Sequence, residues 1–183
     1  MNIKTFYCNP YRECTYIVSQ NNNCFIIDPG MYGEREQKRV IDYLHDNQLQ
    51  LQAIFITHRH PDHICGLESL QNLYPEIPVI VYDPENPPQN LLFQEAGLSI
   101  ELIPTPGHKE DAVCYYIRQE NTLFSGDTLF QESIGRTDLP GGDMAQLCKS
   151  LARLRTLPDN TQIYPGHGYP TSIEHEKEYN PYM

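Results

Sequence analysis

The chain contains no tryptophan among its 183 residues, is short of positive charge, and has no C-x-x-C pair. No apolar run approaches the roughly 18 residues that suggest a membrane span. The opening "MNIKTFYCNPYREC" has no uninterrupted apolar segment of the signal-peptide kind. These absences set the expectation of a soluble, cytoplasmic protein with no membrane partner. Lys and Arg total 13 against 24 Asp and Glu, a formal net charge of -11. A surface this acidic repels a phosphate backbone, so nucleic acid is not expected as a partner. The six cysteines fall mostly in strand-like or helix-like stretches and are expected to be reduced, structural thiols. With 39% hydrophobic residues, a chain of this length can bury a core without disulfide staples, and one domain spanning 1–183 is the default.

What is present is a succession of short β-type runs and amphipathic stretches. "IKTFYC", "CTYIVSQ" and "CFIIDPG" read as a three-stranded meander, with a hairpin turn at "NNN". "GEREQKRVIDYLHDN" places Val40, Ile41 and Leu44 at helical spacing on one face. A strand at "LQAIFIT", a helix at "ICGLESLQNLY" and a strand at "PVIVYD" follow, then a Pro-rich loop, "DPENPPQNLLFQEAG", with at most one helical turn. Strands at "SIELIPT", "VCYYIR" and "TLFSGD", a helix around "DMAQLCKSLARLRTL", a strand at "TQIYP" and a short helix in the tail complete the expectation. Strands and helices alternate in the middle of the chain and meanders open each half, which implies two sheets with helices outside them.

Ligand-type side chains gather where strands end. "THRHPDH" supplies His58, His60, Asp62 and His63 directly after a strand; "LIPTPGH" ends at His108, "LFSGD" at Asp127 and "IYPGH" at His167. Loops at strand ends carry function on a backbone still held by the sheet. Imidazole nitrogen and carboxylate oxygen without thiolate suit Zn²⁺ or another divalent metal such as Fe or Mn. Seven donors exceed one tetrahedral site and fit two ions about 3.5–4 Å apart bridged by a carboxylate. His58 and His60 alternate on an extended backbone and reach one ion from one side, while Asp62 and His63 at a helix start turn toward the other. An H-x-H-x-D-H string is expected by chance about once in a thousand chains of this composition. Asp28 in "IIDPG" reads equally as a plain turn residue and as an acceptor that orients a ligand. His45 and His175 read as solvated.

"THRHPDHICG", "TPGH", "FSGDTLF" and "YPGHG", in that order, resemble the metallo-β-lactamase-fold hydrolases. "SIGRTDLPGGD" and "EKEYNP" are similar to the short glyoxalase II-like branch, related to hydroxyacylglutathione hydrolase. The resemblance covers nearly the whole chain. It implies an α/β fold, a four-layer αββα sandwich with metals at one edge between two sheets. It also implies one ion on His58, His60 and His108, another on Asp62, His63 and His167, and Asp127 bridging. Longer glyoxalase II enzymes add a C-terminal helical domain that contacts glutathione, and this sequence is expected to lack it. "PGHKEDAVCYY" stands where the branch has "PGHTPGS", and "ECTYIV" where it often has Asn, which puts Cys14 near the core.

The expected activity is hydrolysis of a small-molecule thioester, S-D-lactoylglutathione or another acyl-thiol. Two cations lower the pKa of a shared water from about 15.7 toward 7, which makes hydroxide available at neutral pH. Asp62 and Asp127 are the expected catalytic carboxylates that orient it. A thiolate leaving group, with an intrinsic pKa of about 8.5, departs without a general acid. Rival expectations are a mononuclear-iron sulfur (persulfide) dioxygenase and a lactonase of the same fold. In "GRTDLPGGD", Arg136 and Asp138 are expected to pair and brace the loop, with direct substrate contact by Arg136 the lesser reading.

Overall fold

Two short turns, 9–12 and 21–22, set the register of the first three strands. In the computed structural model, which describes residues Met1–Met183, β1 (Asn2–Cys8) pairs antiparallel with β2 (Glu13–Gln20) without interruption from Asn2 opposite Ser19 to Cys8 opposite Glu13. The chain turns at Asn21, whose φ of 54° lies in the left-handed region that asparagine tolerates. It returns as β3 (Asn23–Ile27), antiparallel to β2. The helix expected next is α1 (Gly33–Asp46), with Val40 and Leu44 buried and Glu34 and Glu36 in its first turn, where they complement the helix dipole. It carries the chain over to β4 (Gln50–Phe55), parallel to β3, as a parallel pair requires. Then come α2 (Pro61–Ile64), α3 (Leu67–Leu73) and β5 (Val79–Ile80), which pairs parallel with β4. The mixed sheet runs β1-β2-β3-β4-β5, leaving β1 as a seven-residue edge. Phe6, Ile17, Ile26, Val40, Leu44, Ile54 and Leu70 form its core.

Backbone contacts divide the chain into two compact units, Met1–Val81 with Gln94–Leu98, and Tyr82–Phe93 with Ser99–Met183. The later elements are β6 (Leu92–Glu95), β7 (Leu98–Pro104), β8 (Val113–Ile117), β9 (Thr122–Gly126), β10 (Leu129–Phe130), β11 (Ser133–Ile134), α4 (Met144–Leu154), β12 (Gln162–Pro165), β13 (Thr171–Ser172) and α5 (Ile173–Tyr179). The second mixed sheet runs β13-β12-β9-β8-β7-β6, while β10 and β11 pair as a separate hairpin. β12 is parallel to β9; β7, β8 and β9 are joined antiparallel. α4 starts at Asp143, whose side chain accepts from Gln146 N at 3.0 Å. It lies so close to Gly107 that a Cβ there would sit 2.4 Å from the Leu147 backbone. Leu147, Leu151 and Leu154 pack with Ile103, Tyr116, Leu123 and Ile163. No helix is long and apolar enough to cross a membrane.

Four expectations need correction. The Pro-rich stretch contains the strand β6 rather than a helical turn. "PVIVYD" yields only the two-residue β5. The single helix expected from Ile64 to Tyr74 is interrupted at Cys65 and Gly66, where Gly66 abuts Met31: a Cβ on Gly66 would lie 2.7 Å from the Met31 methyl. All six cysteines are free thiols, but Cys65 and Cys148 are exposed while Cys8, Cys14, Cys24 and Cys114 are buried. Burial pushes the Cys8 and Cys24 thiols up to about 12 and that of Cys114 to about 11. Unfolded thiols ionise near about 8.5, so folding favours the protonated form, and stability from this source falls as pH climbs from that value toward 11–12. Ellman's reagent is expected to label Cys65 and Cys148 in the native protein at neutral pH, and the other four only after unfolding.

Candidate metal centre

The parallel pairing of β3 and β4 sets Ile27 beside Phe55, so the two strands end together and hand Asp28 and Thr57 to neighbouring positions. Asp28, at φ 49°, turns its buried carboxylate back toward the end of β4. Its Oδ1 accepts from Thr57 N at 2.7 Å and its Oδ2 from Thr57 Oγ1 at 2.6 Å. The same Oδ2 lies 2.9 Å from Nδ1 of His63. A carboxylate only accepts, so the His63 proton is on Nδ1 and its Nε2 keeps the lone pair. Thr57 has spent its one hydroxyl hydrogen on Asp28, so its oxygen accepts from Nδ1 of His58 at 3.1 Å, and the lone pair of His58 also sits on Nε2. That Nε2 lies 3.0 Å from Nδ1 of His60, closer than two ring lone pairs tolerate without a proton or a cation between them.

Pro61 begins α2 with His60 as its extended N-cap, which turns the backbone so that Asp62 and His63 follow on the helix. The Asp62 carboxylate comes within 3.8 Å of His63 Nε2 and is 22% exposed, whereas His63 is fully buried. The backbone of this turn is tied from outside. Asn9 Nδ2 donates to the carbonyls of Gly30 at 3.0 Å and Asp62 at 2.9 Å. Gly30 has no room for a side chain, since a Cβ would lie 2.3 Å from the Asp62 carbonyl oxygen.

A second group of donors assembles in the second unit by the same device. β9 and β12 run parallel with Gly126 beside Pro165, and Gly166 N donates to Gly126 O at 2.8 Å, so Asp127 and His167 leave adjacent strand ends. Asp127 Oδ2 lies 3.7 Å from Nε2 of His167 and 3.6 Å from Nε2 of His108. Nδ1 of His108 donates to the Arg136 carbonyl at 2.8 Å, which again leaves Nε2 as the lone-pair nitrogen. Gly135 fits beneath this arrangement: a Cβ on it would sit 1.8 Å from the Asp127 carbonyl oxygen and 3.0 Å from His108 Nδ1.

The seven residues read from the sequence thus fall into two sets, His58, His60, Asp62 and His63 in the first unit and His108, Asp127 and His167 in the second. Asp28 is an orienting acceptor and not merely a turn residue. Thr57, Asn9 and the Arg136 carbonyl escaped sequence reading; only Thr57 had a signal, its place immediately before His58. Arg136 and Asp138 pair in bidentate fashion at 2.7 and 2.6 Å, holding the Asp138 carboxyl down at about 2, but the pair is exposed and its stabilisation is screened. His45 is exposed, as expected. His175 is not simply solvated, because its Nε2 lies 3.0 Å from Glu132 Oε1. Imidazole nitrogens with their other ring nitrogen already engaged, beside carboxylates and without thiolate, fit a borderline divalent cation.

A sequence profile described as the Metallo-beta-lactamase superfamily matches residues 11–95 and 82–167. A hydroxyacylglutathione hydrolase of Francisella tularensis subsp. novicida is 33% identical over 177 residues, covering 92% of this chain and 68% of that protein. The structure of the B3 metallo-beta-lactamase BLEG-1 matches with a TM-score of 0.90 at 30% identity over 99% of both chains. That of TTHA1623 in a di-iron-bound form matches with a TM-score of 0.86 at 28% identity, covering 98% of this chain and 100% of the other.

Asp28→Ala is expected to weaken metal binding about 10- to 100-fold, measured by competition with a chromophoric chelator, because it frees the tautomers of His58 and His63. In NMR titration, Asp138 is expected to titrate near 2 and Arg136→Ala to return it toward the ordinary carboxylate range; what the pair adds to stability is present above that range and is lost as pH falls from it through about 2.

Proposed function

The chain belongs to the metallo-beta-lactamase superfamily and has its fold, two mixed sheets flanked by helices, and from that premise we propose that its two donor sets serve one binuclear metal centre in a hydrolase of acyl-thiols. In this reading His58, His60 and His108 hold one divalent ion, Asp62, His63 and His167 hold the other, and Asp127 is shared. Zinc is the first candidate, with iron or manganese accepted by the same donors. The observation that carries the proposal is the engagement of Nδ1 on His58, His63 and His108 by Thr57, Asp28 and the Arg136 carbonyl, which leaves the lone pair of each ring on Nε2.

Bound divalent cations supply Lewis acidity that lowers the pKa of water from about 15.7 toward 7 and polarises a carbonyl. The chain's own residues do the rest. Asp127, whose Oδ2 lies 3.6 Å from Nε2 of His108 and 3.7 Å from Nε2 of His167, stands where its carboxylate would orient an attacking water. Asp62, the more exposed of the two carboxylates, accepts a hydrogen bond from that water and passes its proton toward solvent. A thiolate with a pKa of about 8.5 leaves unprotonated near neutral pH, so the chemistry asks for no additional acid. The relative named hydroxyacylglutathione hydrolase supports a thioester, and S-D-lactoylglutathione is the representative substrate. The six free thiols suit a reducing, cytoplasmic setting.

Protein purified without chelators is expected to carry two equivalents of divalent metal per chain and to hydrolyse acyl-thiols, with activity lost on chelation and regained on metal addition. Opening of lactones or β-lactams while acyl-thiols stay untouched would overturn the substrate assignment. One iron per chain with oxygen uptake would instead identify a dioxygenase.

A further inference from the structure

The motif "EKEYNP" takes no part in the donor sets, yet two of its side chains are buried. Glu176 is 0% exposed and Asn180 4%. Glu176 Oε2 accepts from the backbone N of Glu132 at 2.8 Å and from Asn180 Nδ2 at 2.7 Å, and its Oε1 accepts from Thr171 Oγ1 at 2.5 Å. Asn180 Nδ2 also donates to the Ser133 carbonyl at 3.1 Å. Both side chains therefore grip the same turn, the one between β10 and β11. Glu132 in that turn has φ 54°, and its own carboxylate meets His175 of α5 at 3.0 Å.

That hairpin has only two residue pairs, Leu129 with Ile134 and Phe130 with Ser133. So short a ribbon does not hold its position by its own ladder. Its far end runs straight into Gly135, which abuts the Asp127 carbonyl, and Arg136, whose carbonyl fixes the ring of His108. We infer that Glu176 and Asn180 are positioning residues for the metal centre: α5 clamps the β10–β11 turn, and the clamped hairpin sets the aim of His108 and Asp127. The inference rests on the reading of His108 and Asp127 as metal ligands.

The clamp makes a demand that a general contribution to stability does not. Gln at 176 keeps one oxygen for Glu132 N and Asn180 Nδ2, and its amide can donate to Thr171 Oγ1, so the turn stays gripped without the charge. Ala at either position releases it. Lys177, which pairs on the outer side of α5 with Asp159 at 2.5 Å, is part of the same helix and not of the clamp.

The test measures zinc affinity by chelator competition and the absorption spectrum of cobalt-loaded protein, each below the thermal midpoint of the variant. Glu176→Ala and Asn180→Ala are expected to weaken zinc binding by about tenfold or more and to alter the cobalt spectrum. Glu176→Gln is expected to retain wild-type affinity, and Lys177→Ala to leave both readouts unchanged. If Glu176→Ala does not fold, Asn180→Ala carries the measurement. Lowered thermal midpoints with unaltered zinc affinity and cobalt spectrum would overturn the inference and leave Glu176 and Asn180 as fold stabilisers. Wild-type protein that binds neither metal would overturn the proposed function and this inference with it, a result visible before any variant is made.

Discussion

Asp28 satisfies three donors with two oxygens while buried to 2% exposure. An unpaired carboxylate so placed would cost several kcal/mol in lost hydration, by about the same measure as any buried ion. Here the Thr57 N–H, the Thr57 hydroxyl and the His63 imidazole replace that hydration. The same three bonds decide where the protons sit. They make Thr57 an acceptor toward His58 and leave the lone pair of both histidines on Nε2. The aim of "THRHPDH" therefore depends on a residue about thirty positions earlier, brought beside it because β3 and β4 are parallel and end in register.

The second unit reaches a comparable result without a buried carboxylate acting as the lock. There the parallel partners are β9 and β12, and the lock on the histidine is a backbone carbonyl. Ligand groups outside the carboxyl ends of parallel strands are a general outcome of α/β topology, since those ends emerge sideby side and open into loops. What differs is the support. A carbonyl is only as steady as the loop that bears it, and Arg136 leaves a hairpin of two residue pairs. The tail helix supplies the stiffness that the hairpin lacks.

The donors were legible in the sequence because strand-end histidines and aspartates in four separate motifs have no ordinary structural reason to recur. The long elements were legible for a similar reason: the helical spacing of Val40 and Leu44, the alternation along β7 and the unbroken apolar runs of β8 and β9 are each long enough to be read. What escaped was short or carried by the backbone. β5, β10, β11 and β13 have two residues each, too few to display a period. The Arg136 carbonyl and the space reserved at Gly135 have no side-chain signature at all. Gly66 broke an otherwise continuous helical pattern through a contact with Met31 that lies more than thirty residues away in sequence. Asp28 was ambiguous because a turn after a strand and an acceptor toward a histidine call for the same residue type; only the paired ends of β3 and β4 distinguish them.

The first sheet ends on one side at β5, two residues long, and on the other at β1, seven residues with an unbroken ladder to β2 on its inner side. The outer rim of β1 is thus the longer template on which a foreign strand could add to this sheet. Lys4 stands in the middle of it, its ammonium lying over the rings of Phe6 and Tyr43 at 5.6 and 5.7 Å. A charge at the centre of a rim is a common guard against strand addition, because an incoming chain must bury it or bend around it. Lys4 thereby stands against edge-to-edge pairing at the longer rim of this sheet.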